Sequence, residues 1–530
     1  MLVNAIILSG SIFCAKENFM SLDKIIENLP VEIYQTQQIR DLEQIAINQY
    51  LIDETQLMAR AAQAAFMHLQ MLFTNINAIA VFCGPGNNAG DGYYLAKLAK
   101  DAGIAVTIYY LVSPDKLQGA AAWAAAEAKN AKVTMHAFDE HVLLENVDVI
   151  VDALFGTGLS KSIMGEYAQA ITWINHHFVP VLSLDIPSGV CSDTGAVKDI
   201  AVVADFTVTF LGLKSGLFTG DAVDYCGQIT YDDLALPAEL FLQIEPFAVR
   251  LMPEIVADYL MPRAQNSHKG QFGHVVVVGG DFGMAGAVSL VANAVLRVGA
   301  GKVTVVTRAE HVAPIVSFRP EVMAISSEHV NWTTLLASAD VIVLGSGLGR
   351  SDWSQSVYLA ATQTDKPLII DADGLYFLKQ YPCKASMILT PHPGEAALLL
   401  EQTTQTVQMS RYQALHQLKQ QYANADIVLK GAGSLILEDD GIFSVCDRGN
   451  AGMATAGMGD ILAGMIAGLW AQGFDKFTAL ELGVLIHAMA GDRVALLQGE
   501  RGMLATDLLS LLPVFVNPEI EEDDDEDLYH

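Results

Sequence analysis

The sequence predicts an α/β protein of two tandem domains, each built on a parallel sheet. Three observations carry this. The chain has 530 residues, more than one ordinary hydrophobic core accommodates. From Val31 to about Leu240, short apolar runs ("AIAVFC", "AVTIYYL", "VDVIVDAL", "PVLSLDIP", "DFTVTFLG") alternate with helical patterns such as "DGYYLAKLAKDAG" and the alanine-rich stretch 117–130. A second series follows "RAQNSHKGQFG", with "HVVVVGG", "KVTVVT", "DVIVLGSG", "PLIIDADG", "MILTPHPGE" and "DIVLKGAGS" between further helices. Continuous apolar strands separated by amphipathic helices are strands covered on both faces, as parallel sheets require.

The segments then fall in order. Residues 1–30, opening "MLVNAIILSGSIFCAKENFM", read as a leader or a false start with Met20 as the alternative beginning, because the cationic n-region and A-x-A cleavage site of a signal peptide are missing. The first domain spans 31–240. Residues 241–262, with Pro246, Pro253 and Pro262, read as a linker. The second domain spans 263–515, and 516–530 form an acidic tail, a like-charge run expected to stay solvated.

Composition narrows the function classes. With 52% apolar and 17% charged residues the chain is a packed globular protein. Sixty acidic against thirty basic side chains, a formal net charge of −30, repel nucleic acid and anionic membrane, so neither is expected as a partner. Nor does any uninterrupted run of 18 apolar residues offer a membrane span. Anionic small ligands stay compatible, since backbone amides and helix N-termini hold phosphates without lysine. The six cysteines are scattered with no C-x-x-C pair, which fits a reducing cytoplasm.

Ligands of open parallel sheets sit beyond the carboxyl ends of strands. In the first domain three strand ends carry polar residues there. Asn87, Asn88 and Asp91 follow "AIAVFC" within "GPGNNAGDG"; Asp152 and "GTGLSKS" follow "VDVIV"; Asp185 and Ser188 of "DIPSG" follow "PVLSL". Gly84, Gly86 and Ala89 also satisfy the dinucleotide fingerprint G-x-G-x-x-G/A, which leaves the asparagines and the aspartate unexplained. Amide carbonyls, carboxylates and a hydroxyl suit a hard monovalent or alkaline-earth cation, and a spare carboxylate suits general acid and base work. In the second domain "NAGMATAGMGDILAGMIAGL" places a glycine-rich turn ending at Gly459 and Asp460 before a helix. Its amides would attract phosphate oxygens, with Asp460 placed to take a proton from a hydroxyl. "TPHPGE" and "KGAGS" end strands, so His392 and Lys430 open toward one crevice.

These motifs carry a resemblance. "GPGNNAGDG", "VDALFGTGL" and "DIPSG" resemble the signatures of the NAD(P)H-hydrate epimerases over about 31–240. "HKGQFGHVVVVGG", "GMAGA", "GSGLG", "DADGL", "TPHPGE", "KGAGS", "GNAGMATAGMGD" and "RGMLATDLL" are similar to those of the ADP-dependent NAD(P)H-hydrate dehydratases, which have a ribokinase-like fold, over 263–515. The epimerase likeness implies a Rossmann-like first domain. It also implies substrate contacts at Asn87, Asn88, Ala89, Gly90 and Asp91, at Gly156, Thr157, Gly158, Leu159, Ser160, Lys161 and Ser162, and at Tyr167 and Asp185, with potassium at Asn88, Asp152 and Ser188. The dehydratase likeness implies Ala287, Gly345, His392 and Asp460 on the hydrated dinucleotide. Lys430, Gly431, Ala432, Gly433, Ser434 and Gly459 would lie on ADP or ATP, with magnesium on that nucleotide.

The chemistry agrees with these roles. The hydrated ring bears a hydroxyl on a carbon bonded to nitrogen. Asp185 could move the proton that lets the hydroxyl leave and return on either face, and Asp460 could deprotonate the hydroxyl for phosphorylation. Three residues depart from the family pattern: Ala89 and Ala456 stand where glycine is usual, and Ser434 where threonine is common. Catalytic Asp185 and Asp460 in one chain imply a bifunctional isomerase and lyase acting on NADHX and NADPHX, expected as a homo-oligomer. A ribokinase-type small-molecule kinase with an N-terminal dinucleotide-binding module is the alternative.

Overall fold

The computed structural model describes residues 29–141, 146–158, 162–197 and 199–517. The expected leader up to residue 28, the tail beyond 517, and Leu159, Ser160 and Lys161 lie outside the described residues. The chain divides into two compact units, Met1–Phe247 and Ala248–His530.

The first unit runs β1 (Glu32–Tyr34), α1 (Thr36–Tyr50), α2 (Glu54–Leu72), β2 (Ala78–Cys83), α3 (Asn87–Asp101), β3 (Ala105–Tyr110), α4 (Gly119–Asn130), β4 (Thr134–Ala137), β5 (Val149–Ala153), α5 (Glu166–Asn175), β6 (Val181–Leu184), β7 (Phe206–Phe210), β8 (Leu213–Lys214) and β9 (Gln228–Asp232). Seven strands form a sheet in the order β4-β3-β2-β5-β6-β7-β9, every pairing parallel. Apart from it, β1 pairs with β8. Apolar cores cover both sheet faces, with Val81, Val151 and Leu182 on one side and Phe82, Ile150 and Ile171 on the other. That explains the unbroken apolar runs: β5 has no exposed residue.

Strand order reverses direction between β2 and β5, which makes the loops after these two strands the mouth of a crevice. They touch. The Gly84 amide donates to the Ala153 carbonyl (3.1 Å), and a Cβ on Gly84 would stand 1.8 Å from the Leu154 carbonyl oxygen. Only glycine allows this approach.

The second unit contains β10 (Ala248–Arg250), β11 (His274–Val278), α6 (Ala285–Arg297), β12 (Lys302–Thr307), β13 (Met323–Ser326), β14 (Val341–Leu344), β15 (Leu368–Ile370), α7 (Asp373–Gln380), β16 (Met387–Leu389), α8 (Pro393–Leu400), β17 (Ala425–Leu429), β18 (Ser434–Leu437), β19 (Phe443–Cys446), α9 (Met458–Ala471), α10 (Lys476–Gln498) and α11 (Ala505–Phe515), besides other helices. Its strand order is β13-β12-β11-β14-β15-β16-β17-β18-β19-β10. The pairing is parallel as far as β17, then antiparallel through β18 and β19. The reversal falls between β11 and β14. Within the segment read as a linker, β10 pairs with β19 and Glu254–Tyr259 is helical behind Pro253, a residue that suits a helix start.

The crowding at Gly84 yields a test with an internal control. Gly84→Ala must push the loop off β5 and is expected to cost about 1–3 kcal/mol, the usual range for overpacking. Gly86→Ala, with nothing within 4 Å of the added carbon, should melt like wild type. Thermal unfolding of both variants checks this, and equal melting temperatures would refute it.

Candidate active sites

In the first unit α3 begins at the crevice mouth. The amides of Ala89 and Gly90 both donate to the Gly86 carbonyl, so helix geometry leaves the amides of Asn87 and Asn88 as the outward donors. Ala89 is fully buried in the core, so its methyl does not narrow the turn. A Cβ on Gly90 would lie 2.5 Å from the Met58 sulfur and 2.9 Å from Ala121 Cα, so α2 and α4 fill that side. Asn88 is buried, and neither its carbonyl oxygen nor its amide nitrogen has a hydrogen-bond partner. An orphaned polar pair of this kind marks an unfilled role.

Asp152, at the end of β5, is wholly buried. It accepts from Ser183 Oγ (2.9 Å), from the Ser188 amide (2.9 Å) and from Ser188 Oγ (2.6 Å). The Ser188 hydroxyl in turn accepts from the Phe155 amide at 2.8 Å. Asp185 follows β6 with φ +69°, a left-handed conformation that costs a non-glycine residue energy and clusters at functional positions. A Cβ on Gly156 would stand 3.0 Å from Asp185 Oδ2 and 3.3 Å from Asn88 Cβ. The loops after β2, β5 and β6 therefore converge on Gly156. Thr157 adds its amide to Asp185 Oδ2 at 3.4 Å, and Tyr167 packs its ring on Phe155, centroids 4.9 Å apart. Gly158 and Ser162 are exposed beside this loop.

Sequence reasoning missed two neighbours. Lys214, the last residue of β8, is buried and holds Asp185 Oδ1 at 2.5 Å. Glu43 of α1 faces the same pair, its carboxyl raised by burial and then by the Asp185 charge. Burial first, then Asp185 and Glu43, push Asp91 well above the usual carboxylate range. A lysine inside the otherwise apolar "FLGLKSG" is the one available signal.

In the second unit the site gathers around Asp371, the residue after β15. Asp371 is buried, accepts from Thr390 Oγ1 at 2.7 Å and pairs with Lys430 Nζ at 2.8 Å. A Cβ on Gly459 would lie 3.2 Å from Lys430 Nζ, so the start of α9 sits on this ion pair. Asp460, one residue on, lies in the field of Asp371 and Lys430, and the buried Ser346 hydroxyl on the neighbouring loop has no hydrogen-bond partner. Gly345, φ +129°, precedes Ser346, and a Cβ on it would strike the Asp371 carbonyl oxygen at 1.8 Å. Ala287 of α6 borders Gly347 of the same loop. His392 caps α8, accepting at Nδ1 from the Gly394 amide (3.0 Å), while Nε2 lies 3.2 Å from Glu395 Oε1. Glu395 stands 3.9 Å from Lys430 Nζ.

"KGAGS" is shaped by a residue that the sequence did not reveal. The buried Arg411 guanidinium donates to the carbonyls of Leu429 (3.2 Å), Lys430 (3.3 Å) and Gly433 (3.1 Å), and Gly431 adopts φ +137° against it. Ala432 is exposed. Ser434 turns its hydroxyl to the Gly431 carbonyl at 3.1 Å. Ala456 is exposed, so its methyl crowds nothing in the fold. Burial disfavours the Lys430 ammonium, but Asp371 and then Glu395 outweigh it and raise its pKa. Burial, followed by the Asp371 charge, lifts Asp460 to about 6.

Comparison with known proteins decides what these crevices belong to. Residues 275–514 match the family model described as NAD(P)H-hydrate dehydratase, and residues 54–216 match the one described as YjeF-related protein N-terminus. A bifunctional NAD(P)H-hydrate repair enzyme of Coxiella burnetii is 45% identical over 92% of this chain and 99% of its own. The one of Escherichia coli is 40% identical over 93% and 96%. The chain belongs to the bifunctional NAD(P)H-hydrate repair enzymes. In this family an epimerase domain precedes a dehydratase domain. These matches support repair over the small-molecule kinase. Among the described residues no helix is long and apolar enough to cross a membrane.

The raised Asp460 gives a pH test. A base must be ionised, and a carboxyl at about 6 is protonated below that pH. Dehydration kcat/KM should fall tenfold per pH unit below about 6 and level off above it. Asp460→Asn should remove that limb with most of the rate. A wild-type profile that is flat from pH 5 to 8 would count against Asp460 as the base.

Proposed function

We propose that the first unit interconverts the R and S forms of NADHX and NADPHX, and that the second dehydrates the S form to NADH and NADPH while ADP (or ATP) is split to AMP (or ADP) and phosphate. Convergence of Asn88, Gly156 and Asp185 at one crevice, and of Ser346, Lys430 and Asp460 at the other, carries the assignment.

In the epimerase site the outward amides of Asn87 and Asn88 receive the substrate's phosphates, and Asp91, Gly156–Gly158, Ser162 and Tyr167 line its ring. Asp185 moves the proton: the ring nitrogen's lone pair expels the protonated hydroxyl as water, and water adds back to the other face. The orphaned Asn88 carbonyl, the Asp152 carboxylate and the Ser188 hydroxyl fit a potassium ion. When bound, that ion would supply positive charge beside the buried carboxylate.

In the dehydratase site Ala287, Gly345 and His392 hold the hydrated dinucleotide. Gly431, Gly433, Ser434 and the amide at Gly459 cradle the adenine nucleotide, and Lys430 carries charge beside them. Asp460 takes the hydroxyl proton as that oxygen attacks the terminal phosphoryl group. Loss of phosphate together with the adjacent ring proton then restores the dihydropyridine. Magnesium on the nucleotide would supply charge neutralisation at the phosphates. The residues fit that role as donors to the nucleotide rather than as metal ligands. Unpaired cysteines, Cys83, Cys191, Cys226, Cys383 and Cys446 among the described residues, support a reducing cytoplasmic setting.

Mixed hydrate epimers incubated with the full-length protein, with and without ADP, test the whole reading by the return of the reduced-nicotinamide absorbance. Asp460→Asn should slow dehydration by 10² or more while the epimers still interconvert, on the scale of lost general base catalysis. Asp185→Asn should leave consumption of the S form intact and reduce epimerisation to the spontaneous rate. Chiral separation of the remaining hydrates reads both outcomes, and loss of both activities in either folded variant would overturn the assignment. Epimerisation should also slow in potassium-free buffer, with Asp152→Ala abolishing the dependence. Equal rates in all cases would refute the ion.

A further inference from the structure

The first-unit site holds three carboxyl groups, Glu43 from α1, Asp91 from α3 and Asp185 after β6, around a single ammonium, that of Lys214 on β8. Lys214 is 1% exposed, and all three of its donors are taken: Asp185 Oδ1 at 2.5 Å, Thr209 Oγ1 at 2.9 Å and the Phe210 carbonyl at 2.8 Å. No donor remains for a substrate. The two oxygens of Asp185 are thereby made unequal, with Oδ1 inside the ion pair and Oδ2 on the Gly156 and Thr157 side where the loops converge. The backbone reinforces this, because the Asp185 amide donates to the Val208 carbonyl at 2.7 Å while its φ is held at +69°.

We propose that Lys214 is the positioning residue of the epimerase site: it fixes Asp185 as a carboxylate with Oδ1 tied down and Oδ2 presented to the substrate. This rests on the epimerase reading above and deepens it. With Oδ1 tied to the Lys214 ammonium, Asp185 enters as the base through Oδ2, which takes the proton from the water whose oxygen bonds to the ring carbon. The proton for the departing hydroxyl comes from a neighbouring carboxyl. Asp91, on the helix turn that carries Asn87 and Asn88, holds one, since burial and the Asp185 and Glu43 charges favour its neutral form. One proton leaves Asp91 with the water and one arrives on Asp185, so the site keeps its count, and the reverse epimerisation uses the two groups in exchanged roles.

Lys214→Met, similar in length and uncharged, tests this in the full-length enzyme. Epimerisation kcat at neutral pH should fall at least tenfold with KM changed less than threefold, because the substrate still binds while Oδ2 is no longer held toward it. Dehydration of the S form by the same preparation should be unchanged. Thr209→Val, which removes one anchor of the ammonium and little volume, should lower kcat in the same way by a smaller amount. It decides the matter if Lys214→Met does not fold. A wild-type kcat in either folded variant, or a loss that falls on KM with kcat intact, would overturn the proposal. Absence of epimerisation in the wild type would instead overturn the reading on which it rests.

Discussion

A carboxylate held in an apolar crevice must be answered by a cation, by a set of hydrogen-bond donors or by a proton, because burial without any of them costs several kcal/mol. Both units set carboxyl groups at the ends of parallel strands and use all three answers. Asp185 and Asp371 are each met by one buried lysine, Lys214 and Lys430. Asp152 is met by serine hydroxyls and backbone amides. Asp91 and Asp460 are left with burial and like charge, which favour the protonated form. The chain thus supplies bases and acids side by side from one residue type, and the assignment follows from the neighbours.

The same strand ends need close backbone contact to bring these groups within reach. Gly84 against Leu154 joins the loops after β2 and β5, and Gly345 against Asp371 joins those after β14 and β15. In each unit the contact lies at or beside the place where strand order reverses, where a parallel sheet opens a crevice. On the proposed reading, helix starts supply much of the positive charge that ligand phosphates meet. This reconciles an anionic dinucleotide with a chain of net charge −30: partial positive charge from α3 and α9 is local, while the global field acts on large polyanions.

How much of this was legible in the sequence depended on range. Strand ends announced themselves through "GNNAGD", "DIPSG" and "GMGD", because a polar residue directly after an apolar run has few structural reasons to be there. Asp185 and Asp460 could be named for the same reason. Lys214, Arg411 and Glu43 could not. Each acts through a partner distant in sequence, as Lys214 does on Asp185 from a two-residue strand and Arg411 does on the Gly433 carbonyl. Three-dimensional pairing leaves no spacing rule to read. Ala89 shows the opposite limit, a residue whose place in the loop does not tell which way its side chain turns. Position in a glycine-rich loop suggested contact with phosphate, whereas the helix begins at Asn87 and rotates that methyl into the core.

The two reactions ask different things of their carboxylates, and the surroundings differ accordingly. In the epimerase a proton is moved on and off the same kind of oxygen, so neither protonation state can be deeply favoured. A lysine that ties down one oxygen of Asp185, beside an Asp91 whose neutral form burial favours, keeps a base and an acid ready together. In the dehydratase the base meets an incoming phosphoryl group that is itself anionic. A lysine-paired Asp460 would have less affinity for the hydroxyl proton. There the ammonium goes to Asp371 instead, and Asp460 stays near 6, basic enough to accept a proton and close enough to Lys430 to share its field. Placing the lysine one residue away from the reacting carboxylate, rather than on it, is what separates the phosphoryl-transfer site from the proton-exchange site.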